Sequence, residues 1–150
     1  TRLDKIAKGE ATATMLAMAG LNRLGLSVPG SPLPISDFIP AVAQGAIGIE
    51  CRSDDAGMGE LLQLINHTDT FTAAACERAF LKALDGSCRT PIAGYAEIKG
   101  SEILLKGLIA KPDGSAYFES QAEGSAKDAE SIGYALGKEL LATAGKDFLK

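Results

Sequence analysis

The spacing of hydrophobic positions changes along this chain. Leu61, Leu62, Leu64 and Ile65 mark a helix ending near Asn66-His67. Ala73, Cys76, Phe80 and Ala83 then fall near one face of a helix from Thr70 to Asp85. Gly86-Ser87-Cys88-Arg89-Thr90-Pro91 breaks that helix. Three runs follow that read as strands, Ile92–Ile98, Ile103–Ala110 and Ala116–Gln121, joined by Lys99-Gly100-Ser101 and Pro112-Asp113-Gly114. Both connectors are good turn sequences, because Gly tolerates positive φ and Pro pre-sets a turn angle, so an antiparallel meander is expected. Ser125-Ala126-Lys127-Asp128 fits a helix start with Ser125 as its cap, and Ala129, Ile132, Leu136 and Leu140 share the face that follows. The predicted order is ααβββα, a small two-layer α+β domain.

The first third has a different texture. Residues 2–8 predict a short helix stopped by Gly9. The apolar run Ala11–Ala19 predicts a strand buried on both faces, and Gly20-Leu21-Asn22-Arg23-Leu24-Gly25 a turn into a short helix. That succession is the unit of an open α/β sheet, where ligands sit at the carboxyl ends of strands. Residues 27–40 hold Pro29, Gly30, Pro32, Pro34 and Pro40 and read as a loop or linker. Ala46–Cys51 predicts one more strand, ended by Ser53-Asp54-Asp55, with a crossing between domains near residues 37–45. No internal repeat or low-complexity segment interrupts the pattern.

Composition narrows the function classes. Of 150 residues 46% are hydrophobic and 23% charged, which excludes a disordered tail, a collagen-like repeat or a coiled coil. With 15 basic and 19 acidic residues the net charge is −4, the wrong sign for a general nucleic-acid binder, so an anion site must be local and built from a few placed arginines. No run approaches about 18 apolar residues, so no membrane-spanning helix is predicted. Three widely spaced cysteines argue for a reducing compartment rather than a disulfide framework. Residue 1 is Thr, and residues 1–5 already read as helix, so the chain is expected to begin inside a larger protein.

Cys88 is the first candidate for chemistry. It lies in a loop between a helix and a strand, beside Arg89, and a neighbouring cation favours the thiolate. The bland alternative is a spectator thiol in a turn. Cys76 on the helical stripe and Cys51 in a predicted buried strand read as small core hydrophobes. His67 is the only histidine, and no motif pairs it with Cys88. A zinc site from Cys51, Cys76, Cys88 and His67 lacks ligand spacing. Gln44-Gly45-Ala46-Ile47-Gly48 is neither a dinucleotide fingerprint nor a P-loop, and reads as a hinge beside a close-packed strand. Arg2 and Arg23 offer planar guanidinium groups that can grip carboxylates, or are solvated surface charges.

Four separated motifs occur in order: Ala19-Gly20-Leu21-Asn22-Arg23-Leu24-Gly25; residues 40–52, Pro40 through Arg52; Glu77-Arg78-Ala79-Phe80-Leu81; and residues 84–96, which include Asp85-Gly86-Ser87-Cys88-Arg89-Thr90-Pro91. Together they resemble the hydroxymethylbilane synthase (porphobilinogen deaminase) family across the whole chain. Ala43 stands where many bacterial members have Gly, a variant that looks plant-like or algal.

The resemblance implies three domains, two of them like the lobes of periplasmic binding proteins with a cleft between. Here it implies a mixed α/β and α+β chain. Residues 1–39 would end the second α/β domain, 40–63 would form the interdomain crossing and the return segment to the first domain, and 64–150 would form the cofactor-anchoring α+β domain. It implies a dipyrromethane cofactor held as a thioether on Cys88. Arg2 and Arg23 match arginines that bind cofactor and substrate carboxylates, and Gln44 lies near the cleft on the substrate side. The implied reaction adds four porphobilinogen units in turn, losing ammonia each time, and releases a linear tetrapyrrole. The electrophile in that chemistry is an electron-poor azafulvene, for which a soft thiolate is a sensible first nucleophile. The catalytic aspartate of the family has no counterpart here and is expected upstream of Thr1, so this chain alone is expected to be inactive. Its implied partners are porphobilinogen, the growing oligopyrrole and the upstream portion of the same enzyme, with no nucleic acid or membrane and a monomeric complete enzyme in the cytoplasm or plastid stroma. Two other readings remain: a non-catalytic module of the same fold that binds small carboxylates, and a thiol-dependent transferase unrelated to tetrapyrroles.

Overall fold

A computed structural model describes residues 2–87, 90–145 and 147–149. Cys88 and Arg89 lie outside the described residues. The chain divides into two compact units, Thr1–Pro34 and Ile35–Lys150.

The first unit contains two one-and-a-half-turn helices, α1 (Arg2–Ala7) and α2 (Met18–Arg23). Gly9, at φ 72, follows α1 as the sequence suggests. The strand expected over Ala11–Ala19 is not formed. Residues 11–17 are irregular, and Met18 and Ala19 are drawn into α2, two residues before the expected turn. A buried parallel strand needs a neighbouring ladder for its amides and carbonyls and cover on both faces. No strand among the described residues pairs with this run, Met15 is 54% exposed, and the Met15 carbonyl accepts from the Arg2 guanidinium instead.

The second unit holds α3 (Ala56–Gln63), α4 (Thr68–Ala83), β1 (Ile92–Lys99), β2 (Glu102–Ala110), β3 (Tyr117–Ser125) and α5 (Ala129–Ala144), the predicted ααβββα order. The strand expected over Ala46–Cys51 is absent for the same reason as the first: Ile47 and Ile49 are 80% and 59% exposed, and no strand among the described residues pairs with them. Cys51 is therefore an exposed thiol on irregular chain, not a core residue. Asp55 caps α3, accepting from the Met58 amide at 3.0 Å.

The three strands form one antiparallel sheet in the order β1-β2-β3. Gly100, at φ 64, takes the first central position of the two-residue turn between Lys99 and Glu102, which a hairpin of this length requires. Alternate residues face inward: Ile92, Gly94 and Ala96 on β1, and Ile103, Leu105, Gly107 and Ile109 on β2. β3 runs four residues further than expected, to Ser125. A short 3-10 turn over Ala126–Asp128 leads into α5, with the Ser125 hydroxyl accepting from the Lys127 amide as anticipated.

α4 and α5 pack side by side on one face of the sheet. Cys76, Phe80 and Ala83 of α4 and Ala129, Leu136 and Leu140 of α5 are buried between the layers. The ring of Phe80 faces Gly94 on β1 and Gly107 on β2. The two helices come unusually close because α5 presents glycine at 133 and 137, one turn apart. A Cβ at Gly133 would overlap the Cys76 carbonyl oxygen, and one at Gly137 would lie 2.8 Å from the Phe80 carbonyl oxygen. Gly133→Ala is therefore expected to destabilise the domain by about 2 kcal/mol or more, because backbone rather than a side chain must yield. Thermal unfolding of the variant beside wild type checks this; an unchanged midpoint would refute the close approach.

Candidate functional site

The C-terminus of α4 sets up the loop that carries Cys88. Leu84 ends the helix, Asp85 turns left-handed at φ 52, and two hydrogen bonds close the end: Asp85 amide to Lys82 carbonyl at 3.1 Å and Gly86 amide to Leu81 carbonyl at 3.1 Å. This is a Schellman motif with Asp rather than the usual Gly at the left-handed position. Beyond it Ser87 and Thr90 bond to each other, through their hydroxyls at 3.4 Å and through two backbone amides. The Ser87 amide donates to the Thr90 hydroxyl at 3.1 Å, and the Thr90 amide donates to the Ser87 carbonyl at 3.0 Å. Pro91 then leads into β1, its carbonyl taking the Ala110 amide at 2.9 Å. The residues flanking positions 88 and 89 are thus fixed to a helix end on one side and a sheet on the other.

Residues 40–46 form a second fixed feature on the same strand. The Gly94 amide of β1 donates to the Pro40 carbonyl at 3.0 Å. Val42 packs against the core. The Gln44 amide donates to the Ala41 carbonyl at 3.0 Å, and the Gln44 side chain is exposed. Ala43 sits at φ 57, a region that strains any residue with a Cβ and that glycine occupies freely. Glycine would adopt this backbone conformation without that strain.

Glu77 of α4 joins these parts. It is 7% exposed, and its two oxygens accept from two amides: Ala96 of β1 at 2.7 Å and Ala43 at 2.6 Å. Burial pushes its carboxyl above the usual range, while the two amide bonds pull the other way and only partly offset it. Glu77 lies in the Glu77-Arg78-Ala79-Phe80-Leu81 motif, which by itself assigns it no role. A signal was available: Glu77 lies four residues after Ala73 and three before Phe80, an acid inside the buried stripe.

The other candidates fall into place differently. Cys76 is fully buried, and burial with the Glu77 charge beside it raises its thiol to about 11, so it is an unreactive core residue. His67 caps α4, its Nδ1 accepting from the Thr70 amide at 3.2 Å. The 16-residue helix, about 24 Å long, has His67 at its start and leads to Ser87 beyond its other end; the expectation that no motif pairs His67 with Cys88 falls on a residue outside the described ones. Arg2 and Arg23 lie in the first unit, both exposed, at the start of α1 and the end of α2. Among the described residues neither forms an ion pair; Arg2 gives one guanidinium hydrogen to the Met15 carbonyl at 3.0 Å. Gln44 and the 87–90 loop belong to the second unit and are both attached to the first half of β1.

The pH behaviour of Glu77 follows from its environment. A carboxyl whose folded-state pKa is raised binds its proton more tightly folded than unfolded, so it contributes stability below the unfolded value of 4.5 that is lost as pH rises through the raised folded value. The stability advantage of wild type over Glu77→Gln is expected to be largest in mild acid and to shrink towards neutrality. Denaturant unfolding of both proteins at a series of pH values checks it, and an advantage that grows with pH would contradict the burial argument.

Comparison with known proteins agrees with this architecture. Residues 71–142 match the porphobilinogen deaminase C-terminal domain, and residues 1–60 match the porphobilinogen deaminase dipyromethane cofactor binding domain. The chain is 52% identical to the chloroplastic porphobilinogen deaminase of Pisum sativum over 99% of its own length and 41% of the relative's. It is 47% identical to porphobilinogen deaminase of Nitrobacter winogradskyi, and 48% identical to that of Paracoccus denitrificans, over 99% of this chain and 47% and 48% of theirs. The chain spans somewhat under half the length of these curated relatives. Arg2, Arg23 and Gln44 fall in the cofactor-binding match, and Glu77 and Cys88 in the C-terminal match. The two matched domains, the end of one and most of the other, together with the antiparallel sheet packed on helices, mean that this chain belongs to the porphobilinogen deaminase family.

Proposed function

We propose that this chain is part of a hydroxymethylbilane synthase that condenses four porphobilinogen units, with loss of ammonia at each, into a linear tetrapyrrole. The observation that carries the reading is the match of the whole chain at about half identity to enzymes of that name, in bacteria and in a chloroplast. Residues 1–39 then end the second α/β lobe, 40–63 cross between domains and return towards the first, and 64–150 anchor the cofactor. The working compartment is the cytoplasm or the plastid stroma, and the complete enzyme works as a monomer.

The residues fit a dipyrromethane group by the chemistry of their donors. Pyrrole acetates and propionates are anions, and a chain of net charge −4 meets them with the guanidinium groups of Arg2 and Arg23, which form no ion pair among the described residues. When bound, the dipyrromethane supplies the pyrrole carbon on which the oligopyrrole grows. Cys88 holds it through sulfur, from a loop whose flanks are pinned by the Schellman turn and the Ser87–Thr90 bonds. Arg2 and Arg23 orient carboxylates of cofactor and substrate, and Gln44 offers an amide on the substrate side. The general acid–base group is an aspartate contributed by an upstream portion of the enzyme.

Two outcomes test the reading. Peptide mapping of the complete enzyme is expected to place a pyrrole adduct on the Cys88 peptide. The exposed Cys51 and the buried Cys76 should be unmodified, Cys88→Ser should carry no adduct, and this chain alone should form no tetrapyrrole. An adduct on Cys51, or a fully active Cys88→Ser enzyme, would refute the anchor; carboxylate binding with no adduct in the complete enzyme would favour a non-catalytic module. Arg2→Ala and Arg23→Ala are expected to lower kcat/KM for porphobilinogen by about tenfold to a hundredfold, the usual cost of a lost charge-assisted contact, with little change in thermal midpoint. Unchanged kinetics in both variants would remove the carboxylate-binding role.

A further inference from the structure

Glu77 is the only buried charged side chain among the described residues. Covering the edge of β1 at Ala96 requires one of its oxygens. The other is committed to an amide in a different part of the chain, that of Ala43, at 2.6 Å. The turn it holds is closed on itself: the Gln44 amide bonds to Ala41 and the Ala46 amide to Ala43. A turn closed in this way moves as a unit. Its hydrogen-bonded ties to the domain, among the described residues, are Pro40 to Gly94 and Ala43 to Glu77. The Ala43 tie also holds a residue at φ 57, which has an incentive to relax once released.

We propose that Glu77 is a positioning residue for Gln44: by binding the Ala43 amide it fixes the turn that presents the Gln44 side chain, and couples that turn to the helix from which the Cys88 loop emerges. The proposal rests on the reading of Gln44 as a substrate-side group. Its structural half and its functional half are tested separately.

Amide exchange of this chain, followed by NMR, tests the structural half without any substitution. The Ala43 amide lies outside every helix and strand, yet it is expected to exchange at least about tenfold more slowly than the amides of residues 47–50. Equal rates would overturn the proposal. In Glu77→Gln the carboxamide can accept at one position only. Exchange across residues 40–46 is then expected to rise about tenfold to a hundredfold, while amides near Leu136 and Leu140 in α5 keep their protection. A rise spread evenly over the domain would mean that Glu77 serves stability alone, and would also overturn it. In the complete enzyme, Glu77→Gln and Gln44→Ala are expected to raise KM for porphobilinogen non-additively, the second change adding little to the first. Additive effects would show that Glu77 does not act through Gln44. A wild-type enzyme that fails to consume porphobilinogen would overturn the functional reading instead, and the exchange rates alone then decide whether Glu77 holds the turn.

Discussion

A carboxyl group taken out of water must have its oxygens satisfied, and in the larger unit that requirement organises three elements at once. Glu77 cannot sit in the core without donors, and the nearest ones are the outward amide of an edge strand and the amide of a left-handed turn. Meeting the requirement closes the exposed edge of β1, which would otherwise invite pairing with another chain. Among the alternate β1 amides that point away from β2, the Gly94 amide goes to the Pro40 carbonyl and the Ala96 amide to Glu77. The edge is therefore covered by a strap and a side chain rather than by a fourth strand.

The helix that carries Glu77 is itself held to tight tolerances. The glycines at 133 and 137 let α5 approach the backbone of α4, and the Phe80 ring takes up the space over the small residues of the sheet. Lateral movement of α4 is resisted by backbone contact, which yields less readily than side-chain contact. The helix end inherits that rigidity. The Schellman turn at Asp85 and the Ser87–Thr90 bonds pass it on to the flanks of the Cys88 loop.

The charge balance fits the same picture. A chain of net charge −4 can attract anions only locally, and among the described residues Arg2 and Arg23 are exposed guanidinium groups that form no ion pair. The neutral Gln44 amide adds hydrogen-bonding capacity without charge. Cys51 and Cys76 sit in opposite environments, one exposed on irregular chain and one buried with its ionisation suppressed.

Local pattern determined much of this protein. The helical stripe at Ala73, Cys76, Phe80 and Ala83, the two turn sequences, the Ser125 start and the face at Ala129, Ile132, Leu136 and Leu140 specify the ααβββα unit, because each depends on neighbours within a few residues. The four ordered motifs carried the family, and with it the interest in Cys88, Arg2, Arg23 and Gln44. The apolar runs 11–19 and 46–51 were misread as strands because hydrophobicity states only that a segment wants cover, whereas a strand exists only when another strand supplies its hydrogen bonds. Cys51 followed its segment into the same error. The role of Glu77 was beyond sequence for a related reason. Its position on the buried stripe was visible, but the donors lie 34 residues before it and 19 after it, and only the tertiary structure brings those two amides within reach of one carboxylate.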